Sequence, residues 1–433
     1  MTKKELIIKG LTRREFLSLS GAAGALALLS ACGAGGGGGR TLKVGLVAPI
    51  TGPLAAFGEA DEFILTQVRE IFQDGIDIGG TNYPIEIITK DAESDPNRAA
   101  QVAQDLILED EVDVILVHST PEINNPVSAQ CEANGVPYIS TDAPWQPWYF
   151  RDDLPSPEQG YAWGYHYFWG LEDIIGVFID LWNEVPNNKV VGGMWPNDGD
   201  GLAWANPELG FPPALEAAGF TVVDPGRYEN LKDDFSAEIA LFKEQGVEIV
   251  TGVMIPPDMG TFLTQASQQD FNPIFFTVGK AALFPTTVET LPDGLGEGIT
   301  TEVWWTPTHP FKSSLTGQTA TELGAAYTEA TGKQWTQPIG FVHGLFEVLA
   351  DALARTSDVD SPEAIRDAIA ATNLDTVVGK INWSNGPVPN VSKTPLVGGQ
   401  WQAGSDYPFE MVVTTNSTGV DIPVTGTVEP KSW

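Results

Sequence analysis

Residues 42–72 read LKVGLVAPITGPLAAFGEADEFILTQVREIF. The run Leu42–Ala48 is apolar at Val44, Leu46 and Val47 and stops at a turn cluster, Pro49-Ile50-Thr51-Gly52-Pro53. The period then changes: Phe63, Ile64, Val68, Ile71 and Phe72 fall at helical spacing. Strand, Gly/Pro turn and amphipathic helix make most of a βαβ unit, and the same order repeats down the chain. Tyr83–Thr89 reads as a strand, and Asp95-Pro96 starts a helix, with Asp as cap and Pro in the first turn. Further apolar runs stand at Val112–Val117, Val136–Ser140, Val190–Met194, Phe220–Val223, Ile249–Val253 and Ile274–Val278. A turn and a helical stretch separate each from the next, which predicts an α/β fold with parallel sheets covered on both faces.

About ten strands before residue 305 are too many for one comfortable sheet. The expectation is therefore two doubly wound parallel-sheet lobes joined by a three-crossing hinge. The stretches Asp142–Pro157, Gly279–Pro285 and Gly379–Pro389 are the candidate crossings. They divide the body into 41–156 plus 282–378 for one lobe and 157–281 plus 379–433 for the other.

Ahead of this body, residues 1–31 read as an export address: Lys3, Lys4, Lys9, Arg13 and Arg14 precede the apolar run Phe16–Ala31. That run is too short to span a bilayer as a helix. Arg13-Arg14 resembles a twin-arginine signal, and Leu29-Ser30-Ala31-Cys32 resembles a lipobox, which makes Cys32 the lipidated residue and 32–40 a Gly-rich tether. Cys131 is then the one remaining thiol, expected to be a buried helix residue.

The net charge is −34 over 433 residues, and becomes −37 once residues 1–31, with five cations and two anions, are removed. Such acidity excludes a nucleic-acid partner and a polybasic membrane patch, because phosphates need a basic footprint. The 13 Trp and 20 Phe exclude global disorder, since they supply core.

In parallel α/β sheets ligands bind beyond the carboxyl ends of the strands. Those ends carry Phe57, Ser119, Glu122, Asp142, Ala143 and Trp145 in the first lobe, and Trp195, Asp198, Asp258 and Lys280 in the second. Trp163 and Trp304 either line the same cleft or fill a core. Lys280 is a candidate for an anionic part of a ligand. His118, His166, His309 and His343 lack metal-ligand spacing, and no Gly-x-Ser-x-Gly, His-Glu-x-x-His or phosphate loop occurs. No catalytic residue, metal or cofactor is expected.

Residues 43–58, the segment Asp91-Ala92-Glu93-Ser94-Asp95-Pro96, the loop Pro257-Asp258-Met259-Gly260 and the stretch Asp375–Gly379 together resemble the type I solute-binding proteins of ABC importers, in particular the branched-chain amino-acid (Leu/Ile/Val) branch. The resemblance covers nearly all of residues 41–400. It implies a monomeric, extracytoplasmic binder, anchored to the membrane by its lipid alone, that closes on a small solute and presents it to a membrane permease. It also implies an aromatic packing on the ligand at Phe57, a backbone contact at Ala143 and an ammonium-binding acid at Asp258. The chain departs from the pattern at Glu122 and Pro144, where the family holds the ligand carboxylate with Ser and Thr, and at Asp198, where a Tyr is common. A carboxylate facing a carboxylate is repulsive. The expected ligand is accordingly cationic or polyhydroxylated rather than a simple branched-chain amino acid. Two other readings stay open: a sensing module that works with a receptor partner, and a secreted hydrolase using cleft carboxylates.

Overall fold

The computed structural model describes residues 39–151 and 156–433. The export address, Cys32 and most of the tether lie outside the described residues. In one sheet, Leu42–Ala48 sits between Ile85–Asp91 and Val114–His118, and the order continues through Tyr138–Thr141 and Gly164–Tyr167 to Val391–Ser392. Every pairing in it is parallel. A parallel sheet has no solvent face, and so Leu42–Ala48 is buried almost throughout instead of alternating.

The second sheet runs Phe409–Thr415, Val397–Ala403, Thr300–Val303, Phe275–Lys280, Ile249–Met254, Val190–Met194, Thr221–Val223. Its interior is parallel, while Val397–Ala403 is antiparallel to both neighbours and closes one side. Two doubly wound parallel-sheet lobes are thus present.

The crossings fall later than the Pro-rich stretches suggest. The strand Gly164–Tyr167 still belongs to the first sheet, Thr300–Val303 belongs to the second, and Val391–Ser392 returns to the first. The chain therefore changes lobe after Tyr167, after Val303 and after Ser392, not at 156, 281 and 378. The displaced strands explain the difference. Gly-Tyr-His-Tyr and Thr-Thr-Glu-Val are short and carry polar residues, so neither announces itself as an apolar run. Asp142–Pro157 instead holds a short helix, Trp145–Tyr149, and Gly379–Asn382 pairs with Asn373–Thr376 in a hairpin.

Helix starts follow local chemistry. Asp95 accepts the Arg98 N–H at 2.8 Å and Pro96 occupies the first turn of the helix Pro96–Leu108. The helix Pro121–Asn134 ends at Gly135, whose φ of 73° is the left-handed C-terminal cap glycine adopts at least cost. Cys131 is buried in that helix. Among the described residues no helix is long and apolar enough to cross a membrane.

Candidate ligand site

The carboxyl ends of the two parallel sheets face each other, and the lobes touch across the gap. Phe57 meets Phe284 edge-on with centroids 4.9 Å apart. At one rim Glu59 accepts the Thr286 hydroxyl at 3.2 Å. At another Glu122 accepts the Gly199 N–H at 2.7 Å. A Cβ on Gly199 would stand 3.0 Å from Glu122 Oε1 and 3.3 Å from Pro121, so the absent side chain is what lets the lobes approach there.

Between them lies a narrow cavity of about 20 Å³ lined by aromatic and apolar side chains, with Asp142, Asp200, Lys280 and Glu302 among them. A wider groove of about 810 Å³ runs along the outside of the cleft. Its lining of Pro, Gly, Thr, Gln, Ala and Leu offers no charge and no aromatic ring. The inner cavity has the mixture of apolar walls and a few convergent polar groups that defines a ligand site.

The first lobe's polar floor is built on two strand ends. His118 ends Val114–His118 and is fully buried. Its Nε2 lies 3.1 Å from Asp61 and its Nδ1 lies 3.4 Å from Asp142. Burial opposes the charged imidazole, yet the two carboxylates outweigh it and raise His118 to about 10. Nε2 bonds Asp61, while Nδ1 faces Asp142 at a distance that makes an ion pair and no hydrogen bond, and the two acids together favour the imidazolium form. Burial pushes the Asp142 carboxyl up, and the facing imidazolium pulls against it. Asn124 ties the two loops together by donating to the carbonyls of Ser119 and Thr141 at 2.8 and 2.7 Å.

The second lobe's polar wall centres on Lys280. Its Nζ lies 2.8 Å from Asp200, 3.3 Å from Asp198 and 3.8 Å from Glu122, and together these acids hold the ammonium raised despite its burial. Asp198 caps the helix Gly199–Trp204 through the Gly201 N–H and also accepts from Asn230. Burial lifts Asp200 from 3.8 to about 7 and Glu302 from 4.5 to about 8. A Cβ on Gly279 would stand 2.7 Å from the Trp204 ring and 3.0 Å from Glu302, so this glycine lets both reach the cavity wall beside Lys280.

Three residues at these strand ends hold positive φ: Ser119 at 131°, Asp142 at 70° and Lys280 at 63°. Such backbone costs about 1–3 kcal/mol each and clusters where geometry serves a ligand. Orphaned polar atoms gather at the same place. Both Asp142 oxygens, Asp200 Oδ1, the Thr120 hydroxyl and the indole nitrogens of Trp169, Trp204 and Trp304 are buried with no hydrogen-bond partner among the described residues. Native interiors rarely leave so many groups unmet without a ligand or water.

Of the residues the sequence singled out, Phe57, Asp142, Lys280 and Trp304 line the cavity. Glu122 and Asp198 stand behind Lys280. Ser119 and Ala143 are buried in the strand-end loops, where the Ala143 carbonyl accepts from His166 at 2.8 Å. Four others are elsewhere. Trp163 precedes its strand and so lies at the wrong end of a parallel sheet, under the Arg366 guanidinium at 5.0 Å. Trp195 folds back onto its own strand at Gly193, with Arg227 5.0 Å from its ring. Trp145 donates to Glu172 and packs beneath Gly170. Asp258 is buried, but its oxygens accept the backbone N–H groups of Leu231 and Lys232 at 3.2 and 3.1 Å, which leaves it tied to a loop of its own lobe. The sequence reading missed Asp200, Trp204, Glu302, Phe168 and Trp169. The first two follow Asp198 by only a few positions, whereas Glu302 sits on Thr300–Val303 and Phe168 and Trp169 stand just beyond Gly164–Tyr167, the two strands that lack an apolar run.

Two outcomes follow from these placements. Asp258→Asn is expected to leave ligand affinity within about threefold by calorimetry, since a neutral amide keeps one acceptor for the loop. The ligand-free protein is expected to lose thermal stability between about pH 4 and about pH 8. Folded Asp200 and Glu302 keep protons that the unfolded chain has released, so stability falls as pH rises through their range. Asp200→Asn with Glu302→Gln should flatten that slope in a melting series, and an unchanged slope would exclude these two acids as its cause.

Residues 41–389 match the family model described as periplasmic binding protein. A leucine-, isoleucine-, valine-, threonine- and alanine-binding protein of Pseudomonas aeruginosa is 22% identical over 353 residues, 79% of this chain and 86% of that protein. A leucine-binding protein of Thermotoga maritima shares the fold with a TM-score of 0.70 at 18% identity, over 87% of this chain and 99% of that one. So does a solute-binding protein of an ABC transporter from Rhodopseudomonas palustris, in complex with 3,4-dihydroxybenzoic acid, with a TM-score of 0.66 at 18% identity, over 88% and 99% of the two chains. The two facing sheets, the cleft between their strand ends and the family match over residues 41–389 agree: the chain belongs to the periplasmic binding protein family.

Proposed function

We propose that the chain is an extracytoplasmic solute-binding lipoprotein of an ABC importer. It captures a small polar solute between its lobes, closes by hinge motion and delivers the solute to a membrane permease. Lipid on Cys32 would anchor it, with residues 32–40 as tether. The observation that carries this reading is the interlobe cavity whose walls bear unmet polar atoms beside aromatic rings. At about 20 Å³ the cavity has room for about one water, so a solute reaches it only when the lobes part.

The solute is cationic or polyhydroxylated rather than a plain branched-chain amino acid. Where its relatives are named for leucine, isoleucine and valine, this chain puts Glu122 and Pro144 at the carboxylate-binding loops. Pro144 has no N–H to offer a carboxylate, and Glu122 repels one.

A thermal-shift screen of amines, polyols, amides, sugars and amino acids tests the reading, because a ligand that binds the native state alone raises stability by mass action. Stabilisation by one class, with the compound recovered unaltered, is the expected result. Conversion of the compound would point to the hydrolase reading instead. Cys32→Ser is expected to move the protein from the membrane to the soluble fraction, and continued sedimentation with membranes would remove the anchor from the account.

A further inference from the structure

Resting on the solute-binding reading above, we propose that the cleft selects a small protonated amine that also carries a hydroxyl or carbonyl oxygen and lacks a carboxylate, with the ammonium held by Asp142. The ammonium-binding part would thus have moved from Asp258, whose oxygens serve a loop, to a different strand end in the opposite lobe.

Asp142 is 4% exposed and lines the cavity, and neither of its oxygens has a hydrogen-bond partner among the described residues. Its neighbour His118 lies at 3.4 Å and is shared with Asp61. A buried carboxylate needs donors, and a charged donor meets both its hydrogen-bonding and its electrostatic demand. Carboxylates also outnumber cations on each side of the cavity. Asp61 and Asp142 face His118 in one lobe, and Asp198, Asp200 and Glu122 surround Lys280 across the cleft. A polyol would supply O–H donors yet leave that charge unmet, whereas one ammonium answers both.

The remaining orphans are donors. The indole N–H groups of Trp169, Trp204 and Trp304 are buried without an acceptor, which calls for an oxygen elsewhere on the same ligand. Their rings and Phe57 add faces that attract a cation. A carboxylate is a poor candidate for that oxygen. It would enter a cavity already rich in acids, where the Lys280 ammonium is surrounded by three of them.

Two matched sets of compounds test this by calorimetry on the purified chain: leucinol, 4-methylpentane-1,2-diol and leucine, then 2-aminopropane-1,3-diol, glycerol and serine. Within a set, shape is nearly constant while the ammonium or the carboxylate changes. At least one amino alcohol is expected to bind about tenfold or more tighter than both its diol and its amino acid. Asp142→Asn should weaken that amino alcohol by about tenfold or more and leave the diol within about threefold. Asn tolerates the φ of 70° at this position, so the variant is expected to fold, and its melting curve checks that it does.

A diol or amino acid that binds as tightly as its amino alcohol overturns the proposal, as does unchanged amine affinity in folded Asp142→Asn. Failure of both amino alcohols in a protein that some other solute stabilises overturns the cation assignment and leaves the solute-binding reading intact. Failure of every solute in the wider screen counts against both.

Discussion

Lys280→Met is expected to cost about 3–5 kcal/mol of stability at pH 7 in urea unfolding, because removing one partner of a buried ion cluster leaves the others uncompensated. The ammonium lies within 3.8 Å of Glu122, Asp198 and Asp200 and is 4% exposed. Methionine fills similar volume, so the loss isolates charge from packing. The deficit should grow as pH rises above about 7, where Asp200, raised to about 7 even beside the lysine, gives up its proton. A deficit that stays constant with pH would mean that Lys280 acts through packing or through its strained backbone. Because Glu122 comes from the other lobe, the variant should also close less completely, which scattering would register as a larger radius of gyration.

His118→Leu is expected to be comparably damaging, by about 3–5 kcal/mol, for the same reason in the first lobe. Asp61 and Asp142 each lose the ring nitrogen that faces them. Since His118 is raised from 6.5 to about 10, its favourable contribution is complete below about pH 6.5 and declines from there as pH climbs through about 10. The gap between wild type and variant should therefore be smaller at pH 8 than at pH 6, by about 2 kcal/mol. A gap that is the same at both values would mean that the folded imidazole is not raised. Asp61→Asn in the His118→Leu background is expected to recover part of the loss, because it removes one of the two stranded charges.

The architecture was legible because parallel strands buried on both faces write themselves as apolar runs. Leu42–Ala48 and Ile249–Met254 have no polar alternation to confuse the period. The strands missed, Gly164–Tyr167 and Thr300–Val303, are each four residues long and hold their buried polar groups by specific partners. The hydroxyl of Tyr167 donates to the Phe341 carbonyl and that of Thr301 to Val278. Such partners come from distant parts of the chain and leave no local pattern, which is why the lobe crossings were placed too early.

The site shows the same division. Position after a strand identified Phe57, Asp142 and Lys280, because the rule that ligands meet strand ends is topological. It could not separate Asp258 from Asp142, since both are acids just beyond a strand. What distinguishes them is whether neighbouring backbone N–H groups consume the carboxylate, as Leu231 and Lys232 do for Asp258. Nor could it see Asp61, which stands at the start of a helix and reaches the cleft only through His118.

Whether a small solute occupies the space between the lobes is decided by a crystal structure of the complex with the tightest compound from the screen. The compound is expected between Phe57 and Trp304, with a polar group on Asp142 and the lobes closed around it. A compound seated instead in the outer groove beside Gly52 and Pro256, with the inner cavity unchanged, would contradict it.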